Sequence, residues 1–119
     1  RWSEDKNFLL GDFHITRGGS VVMKSTQRIG WDPLAGKVRS WMFDSDGGYA
    51  DGSWTQVDDG WVIKSTAVIP DGQTGSATIT VRPKDQNSFT MKGTERIVGD
   101  ARYEYFEVTV VRSAPAPAK

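Results

Sequence analysis

Clusters of turn-forming residues recur along this chain at short and fairly regular intervals, and that punctuation limits the fold more than any other feature. The clusters are Arg17-Gly18-Gly19-Ser20, Asp32-Pro33-Leu34-Ala35-Gly36, Asp44-Ser45-Asp46-Gly47-Gly48, Asp58-Asp59-Gly60, Pro70-Asp71-Gly72, Pro83-Lys84-Asp85-Gln86-Asn87 and Gly99-Asp100. Between them lie runs rich in β-branched and aromatic residues. Such spacing fits a sandwich or barrel of short strands and leaves no room for the helices of βαβ units. Eight strands are predicted: Asn7–Thr16, Val21–Trp31, Val38–Phe43, Tyr49–Gln56, Trp61–Ile69, Gly75–Arg82, Ser88–Val98 and Tyr103–Arg112.

Several of these runs alternate with a period of two. Trp61, Ile63, Ser65, Ala67 and Ile69 oppose Lys64 and Thr66, and Ala77, Ile79 and Val81 oppose Thr78, Thr80 and Arg82. One face is therefore apolar and the other wet. Short connections make neighbouring strands antiparallel. The expected fold is all-β: an antiparallel up-and-down meander of about eight strands, closed as a barrel or left as a half-barrel, in residues 1–112. A Pro/Ala-rich extension follows over residues 113–119. A meander has two exposed edges unless its ends meet or another strand pairs with them.

Composition excludes several function classes. The 119 residues suffice for one domain. Fifteen Lys and Arg balance fifteen Asp and Glu, so net charge offers no argument for nucleic acid or an anionic membrane. With no cysteine there is no disulfide, thiolate metal site or cysteine nucleophile, and the compartment is left open. No apolar run approaches the roughly 20 residues of a membrane span. The chain opens on Arg1-Trp2-Ser3 without an initiator methionine, as a trimmed or excised piece of a longer protein would.

No complete catalytic or metal-binding set is visible, and neither a cofactor nor a metal is expected. Asp44, Asp46 and Asp51 sit near one another, but a calcium loop of the EF-hand type needs glycine at its sixth position and glutamate at its twelfth. Here those positions are Tyr49 and Thr55. Asp46-Gly47 reads instead as a type I′ hairpin turn. His14, the sole histidine, has no partner set nearby in sequence. Glu95 falls in phase with Phe89, Met91 and Ile97, and Glu107 with Tyr103 and Tyr105. If those faces point inward, two carboxylates would share an apolar interior and become candidates for acid/base work; the alternative is pairing with Arg39, Arg96 or Arg102. Trp31, Trp41, Phe43, Trp54 and Trp61, with Tyr49 nearby and Tyr105 later in the chain, are the candidate ligand-lining residues. The competing reading of these aromatics is plain core packing.

The stretch Gly30-Trp31-Asp32-Pro33, then Val38-Arg39-Ser40-Trp41-Met42-Phe43-Asp44-Ser45-Asp46-Gly47-Gly48 and Ser53-Trp54, with the closing Glu107-Val108-Thr109-Val110-Val111-Arg112, resembles a known bacterial module. It looks like the C-terminal lipocalin-like, or calycin-like, β-domain of bacterial and notably planctomycete proteins that carry an N-terminal SnoaL-like/NTF2-like (DUF4440) domain. The resemblance spans nearly all of residues 1–112. It implies a meander barrel around a small apolar ligand. It also implies a further strand and an NTF2-like domain upstream of Arg1, and an open edge where that strand would pair. The axial histidine of haem-binding barrels has no motif match around His14.

Three functions follow as expectations. The first is a non-enzymatic module that binds a small apolar ligand or docks on a partner. The second is an enzyme using Glu95, Glu107 or His14. The third is an assembly protein pairing through open sheet edges.

Overall fold

In the computed structural model, which describes residues 1–113, the chain forms one antiparallel sheet and no helix. The strands are β1 (Phe8–Arg17), β2 (Ser20–Asp32), β3 (Lys37–Asp44), β4 (Tyr49–Val57), β5 (Gly60–Val68), β6 (Thr74–Asp85), β7 (Ser88–Val98), β8 (Ala101–Tyr103) and β9 (Phe106–Val111). Each pairs with the next up to β8, and β9 also pairs with β7. β8 lies along Arg96–Val98 and β9 along Ser88–Gly93, so the two are successive pieces of one eighth rung, broken at Glu104-Tyr105. The meander is thus the expected one, curled into a half-barrel whose first and last rungs do not pair.

Local chemistry sets the turns. Gly18 and Gly19 both have positive φ, 58° and 79°, between the paired Arg17 and Ser20, as a two-residue type I′ hairpin requires. The β3–β4 turn differs from its expected type I′ form. Positive φ occurs at Gly47 (97°) and not at Asp46, and Gly47 N–H donates to the Asp44 carbonyl. That is a three-residue turn closed by glycine. The Asp46 carboxylate accepts from Gly48 N–H at 2.8 Å, which ties the aspartate into the turn. β6 runs three residues past its expected end, through Pro83 to Asp85. Pro83 is accommodated where the β6–β7 register shifts, a position where a missing N–H costs no regular ladder bond.

Register divides the side chains into two faces. One carries Phe13, Met23, Ile29, Trp31, Met42, Trp54, Trp61, Ile63, Ile79, Val81, Phe89, Met91, Phe106, Val108 and Val110. The other carries most of the charged and hydroxyl residues, among them His14, Lys24, Arg28, Arg39, Asp51, Lys64, Thr66, Thr78, Lys92 and Glu107, together with Trp41, Phe43 and Tyr49. The buried side chains Ser25, Ser40 and Ile63 all lie on the apolar face, screened by their neighbours on that same face. Nothing in the described residues forms a second layer over it. Ile63 is the one hydrophobic residue among them that is buried.

The edges are partly protected. Residues 1–3 run beside β1: Trp2 bridges Leu9, Leu10 N–H donates to the Arg1 carbonyl, and Ser3 N–H donates to the Phe8 carbonyl. At the other edge the break between β8 and β9 leaves two short strands. Short strands and covered stretches are ways of discouraging edge pairing. The Pro/Ala-rich tail lies, from residue 114 onward, outside the described residues.

Candidate binding face

The centre of the apolar face is built from β3, β4 and β5. Trp54 and Ile63 are cross-strand partners, as are Ser40 and Gly52. Trp61 lies edge-on to Trp54, with ring centroids 5.9 Å apart and 66° between planes. Trp54 Nε1–H donates to Ser40 Oγ at 2.8 Å, which satisfies the indole donor inside an apolar patch. Gly52 is what lets these groups meet. A Cβ there would lie 2.7 Å from Ile63 Cγ2 and 2.9 Å from Ser40 Oγ. Gly93 similarly leaves space for the Phe106 ring. Around this centre the face stays open. Trp31, also on it, is 61% exposed, and Leu9, Tyr103 and Val108 are exposed too.

Three charged side chains lie on the apolar face along the paired strands: Arg17 at the β1–β2 hairpin end, and Asp44 and Arg96, which have partners. Asp44 accepts a hydrogen bond from Ser25 Oγ. Arg96 donates to the Glu104 carbonyl at 2.8 Å, with its guanidinium over the rings of Phe106 (4.9 Å) and Tyr103 (5.8 Å).

The polar face has its own centre. Arg39 reaches Asp51 at 2.7 Å and Asp32 at 3.6 Å, and Thr66 Oγ1 donates to Asp51. Arg39 Nε is buried without a partner. Trp41, Phe43 and Tyr49 stand on this face beside the Arg39 network, with the Phe43 and Tyr49 rings 6.4 Å apart. They line one side of an open depression of about 800 Å³, and Thr66, Thr74 and Ser76 line the other.

The candidate ligand-lining residues therefore divide between two faces. Trp31, Trp54 and Trp61 are on the apolar face, and Trp41 and Phe43 are on the polar face. Tyr105 sits in the β8–β9 break, with Lys92 Nζ 5.2 Å from its ring centroid.

The carboxylate geometry differs from expectation. Glu95 does not share a face with Phe89 and Met91. It lies opposite the register shift between Ser76 and Thr78, with a φ of 52°, and this bulge turns its side chain to the polar face. There it accepts from Thr78 Oγ1 at 3.0 Å and lies 3.8 Å from Lys64 Nζ, a lysine and none of the three arginines expected. Glu107 pairs across from Lys92 on the polar face, whereas Tyr103 pairs with Arg96 on the apolar one. The break at Glu104-Tyr105 interrupts the alternation that would have joined Glu107 to Tyr103. His14 is exposed on β1, opposite Lys24. No two of these three groups hydrogen-bond each other among the described residues, and none enters the apolar face.

Among the described residues no group of three or more His, Cys, Asp or Glu side chains could hold a metal. No described helix is long and apolar enough to cross a membrane. Three aspartates have carboxyls held below their ordinary range, all in turns or the N-terminal arm. Asp5 is lowered chiefly by Ser3 Oγ, Asp71 by the Gln73 backbone N–H and Asp85 by the Asn87 backbone N–H. These are structural caps remote from either face centre.

Comparison with protein-family models, with curated proteins and with solved structures finds no match to this chain. Two features escaped the sequence reading: the Arg39–Asp32–Asp51–Thr66 cluster and the Ser40–Trp54 bond. Both join residues in phase across neighbouring strands, so only register reveals them.

Proposed function

We propose that this chain is a non-enzymatic binding module whose apolar face takes up an apolar ligand or docks on a partner. One observation carries the reading. The chain exposes 8971 Å², whereas a folded monomer of this mass exposes about 6,400 Å². Giving the six residues beyond the described range their full unfolded surface still leaves an excess of about 2,000 Å². On the apolar face Leu9, Ile15, Trp31, Tyr103 and Val108 contribute to it, and on the polar face Phe43, Tyr49, Val57 and Val111 do. Large exposed apolar patches mark interaction sites, and the apolar face has no second layer over it in the described residues. The resemblance to lipocalin-like β-domains beside NTF2-like domains supports the same reading, because lipocalin-like barrels typically enclose a small apolar ligand and the resemblance implies a neighbouring domain to dock on. The acid/base reading is less favoured, since Glu95, Glu107 and His14 point to the wet side of three different strands.

Tryptophan quenching by long-chain fatty acids brominated along the chain tests the ligand form. Saturable quenching, weakened in Trp54→Phe, is expected. Bromine on the chain that quenches no more than free bromide would remove it.

A further inference from the structure

The size of the excess surface narrows what can cover it. A ligand that fits an ordinary pocket of about 300–1,000 Å³ has only a few hundred Å² of surface. It would leave most of the excess exposed. A specific protein interface takes about 800 Å² from each partner, and obligate dimers take more, so the excess suits a macromolecule.

We propose that the occupant is a second copy of this chain, packed apolar face to apolar face in a two-layer sandwich. This rests on the binding-module reading and specifies its partner. In a two-fold interface the same patch meets itself, so any net charge on it is doubled. Here the patch suits that demand. Asp44 and Arg96, the charged side chains within it, are of opposite sign and already hold partners within their own chain, and Arg17 lies at its margin, at the β1–β2 hairpin end. The whole chain is formally neutral, so two copies carry no long-range repulsion. The Arg39 and Lys64 ion pairs, with Lys24 and Lys92, lie on the opposite face, where a sandwich leaves them in water. The edges offer the weaker route to assembly. Residues 1–3 already occupy the start of β1, and the last rung is split in two.

Sedimentation velocity on the full chain, from about 1 μM to about 200 μM, reads the outcome. A species of twice the chain mass is expected. Trp31→Glu and Val108→Glu change residues that are 61% and 43% exposed in the single chain, so each leaves the isolated fold little altered while burying two like charges in the sandwich. Each should weaken dimerisation by about tenfold or more. Phe43→Glu, at a polar-face residue 60% exposed, should change it by less than about twofold. A monomer throughout the range overturns the proposal, as does a dimer weakened by Phe43→Glu and indifferent to the other two. Brominated acyl chains separate the two failures. A monomer that they quench saturably keeps the binding module and loses the second copy; a folded monomer that they do not quench, with no other protein partner, loses both.

Discussion

Replacing Gly52 with alanine sets backbone propensity against packing, and the two predict opposite signs. A glycine inside a strand costs about 0.5–1 kcal/mol relative to alanine, so propensity alone makes Gly52→Ala stabilising. The structure reverses that. The new Cβ would stand 2.7 Å from Ile63 Cγ2 and 2.9 Å from Ser40 Oγ, where carbon contacts relax at about 3.5–4.0 Å. Neither neighbour yields easily. Ile63 is 7% exposed and has Trp54 and Ile79 as cross-strand partners, and Ser40 is 5% exposed and holds the Trp54 indole. Overpacking of this kind costs about 1–3 kcal/mol. Weakening the Ser40–Trp54 bond adds about 0.5–1.5 kcal/mol. The net expectation is a loss of about 1–3 kcal/mol. Urea unfolding, at one fixed protein concentration for both proteins, measures it, and the Trp54 emission should shift as its hydrogen bond is disturbed. A variant as stable as the parent or more so would mean that β3, β4 and β5 do not meet on this face as described.

Three further outcomes follow from the same geometry. Ser40→Ala removes the acceptor of the Trp54 indole N–H within an apolar patch and should cost about 1–2 kcal/mol by chemical denaturation. Glu95→Gly relieves a non-glycine residue at φ 52° while losing only exposed contacts to Lys64 and Thr78; it should be neutral or stabilising by up to about 1 kcal/mol, and a clear loss would contradict the bulge. The Asp71 carboxyl, lowered chiefly by the Gln73 N–H, should titrate below a random-coil aspartate by carboxyl NMR. Because its folded value is depressed, the stability it contributes is complete above the unfolded value near about 4 and fades as pH falls through the folded one. Asp71→Asn keeps an acceptor for the turn, so it should flatten the pH dependence of stability in that window.

The period-two pattern told which residues share a face for as long as the pairing stayed regular. β7 ends where its sequence pattern ends, and Trp61, Ile63, Ala77, Ile79 and Val81 fall on the apolar face as their alternation requires. The pattern failed at two devices that carry no strong sequence signal. Glutamate is a poor former of left-handed backbone, so nothing in Thr94-Glu95-Arg96 marks a bulge. The Glu104-Tyr105 break carries neither glycine nor proline. Each shifts the phase of the residues beyond it, and a single shift exchanges inside for outside. Both candidate carboxylates sat next to such a shift, so the paired-carboxylate idea was the reading most exposed to error. The division of the tryptophans was hidden for another reason. Composition counts aromatics without regard to phase, and Trp41 and Trp54 sit in opposite phase on neighbouring strands.

Alternation has a deeper limit: it fixes the polarity of a face and not what lies over it. A closed barrel, a sandwich of two copies and a half-barrel on a partner domain all require the same residues in the same phase. What separates them is surface area, which no local pattern encodes. A barrel closed by its own ends would bring β1 against β9 and bury the side chains between them. Here those rungs stay apart, with Leu9 and Val108 exposed. The edges of the sheet are partly capped from within the chain, by residues 1–3 on one side and by the split rung on the other. The apolar face has no such provision in the described residues. The proposed association through the face rests on that difference: residues 1–3 and the split rung cap part of each edge, whereas Trp31 and the Trp54–Trp61 cluster have no second layer over them among the described residues.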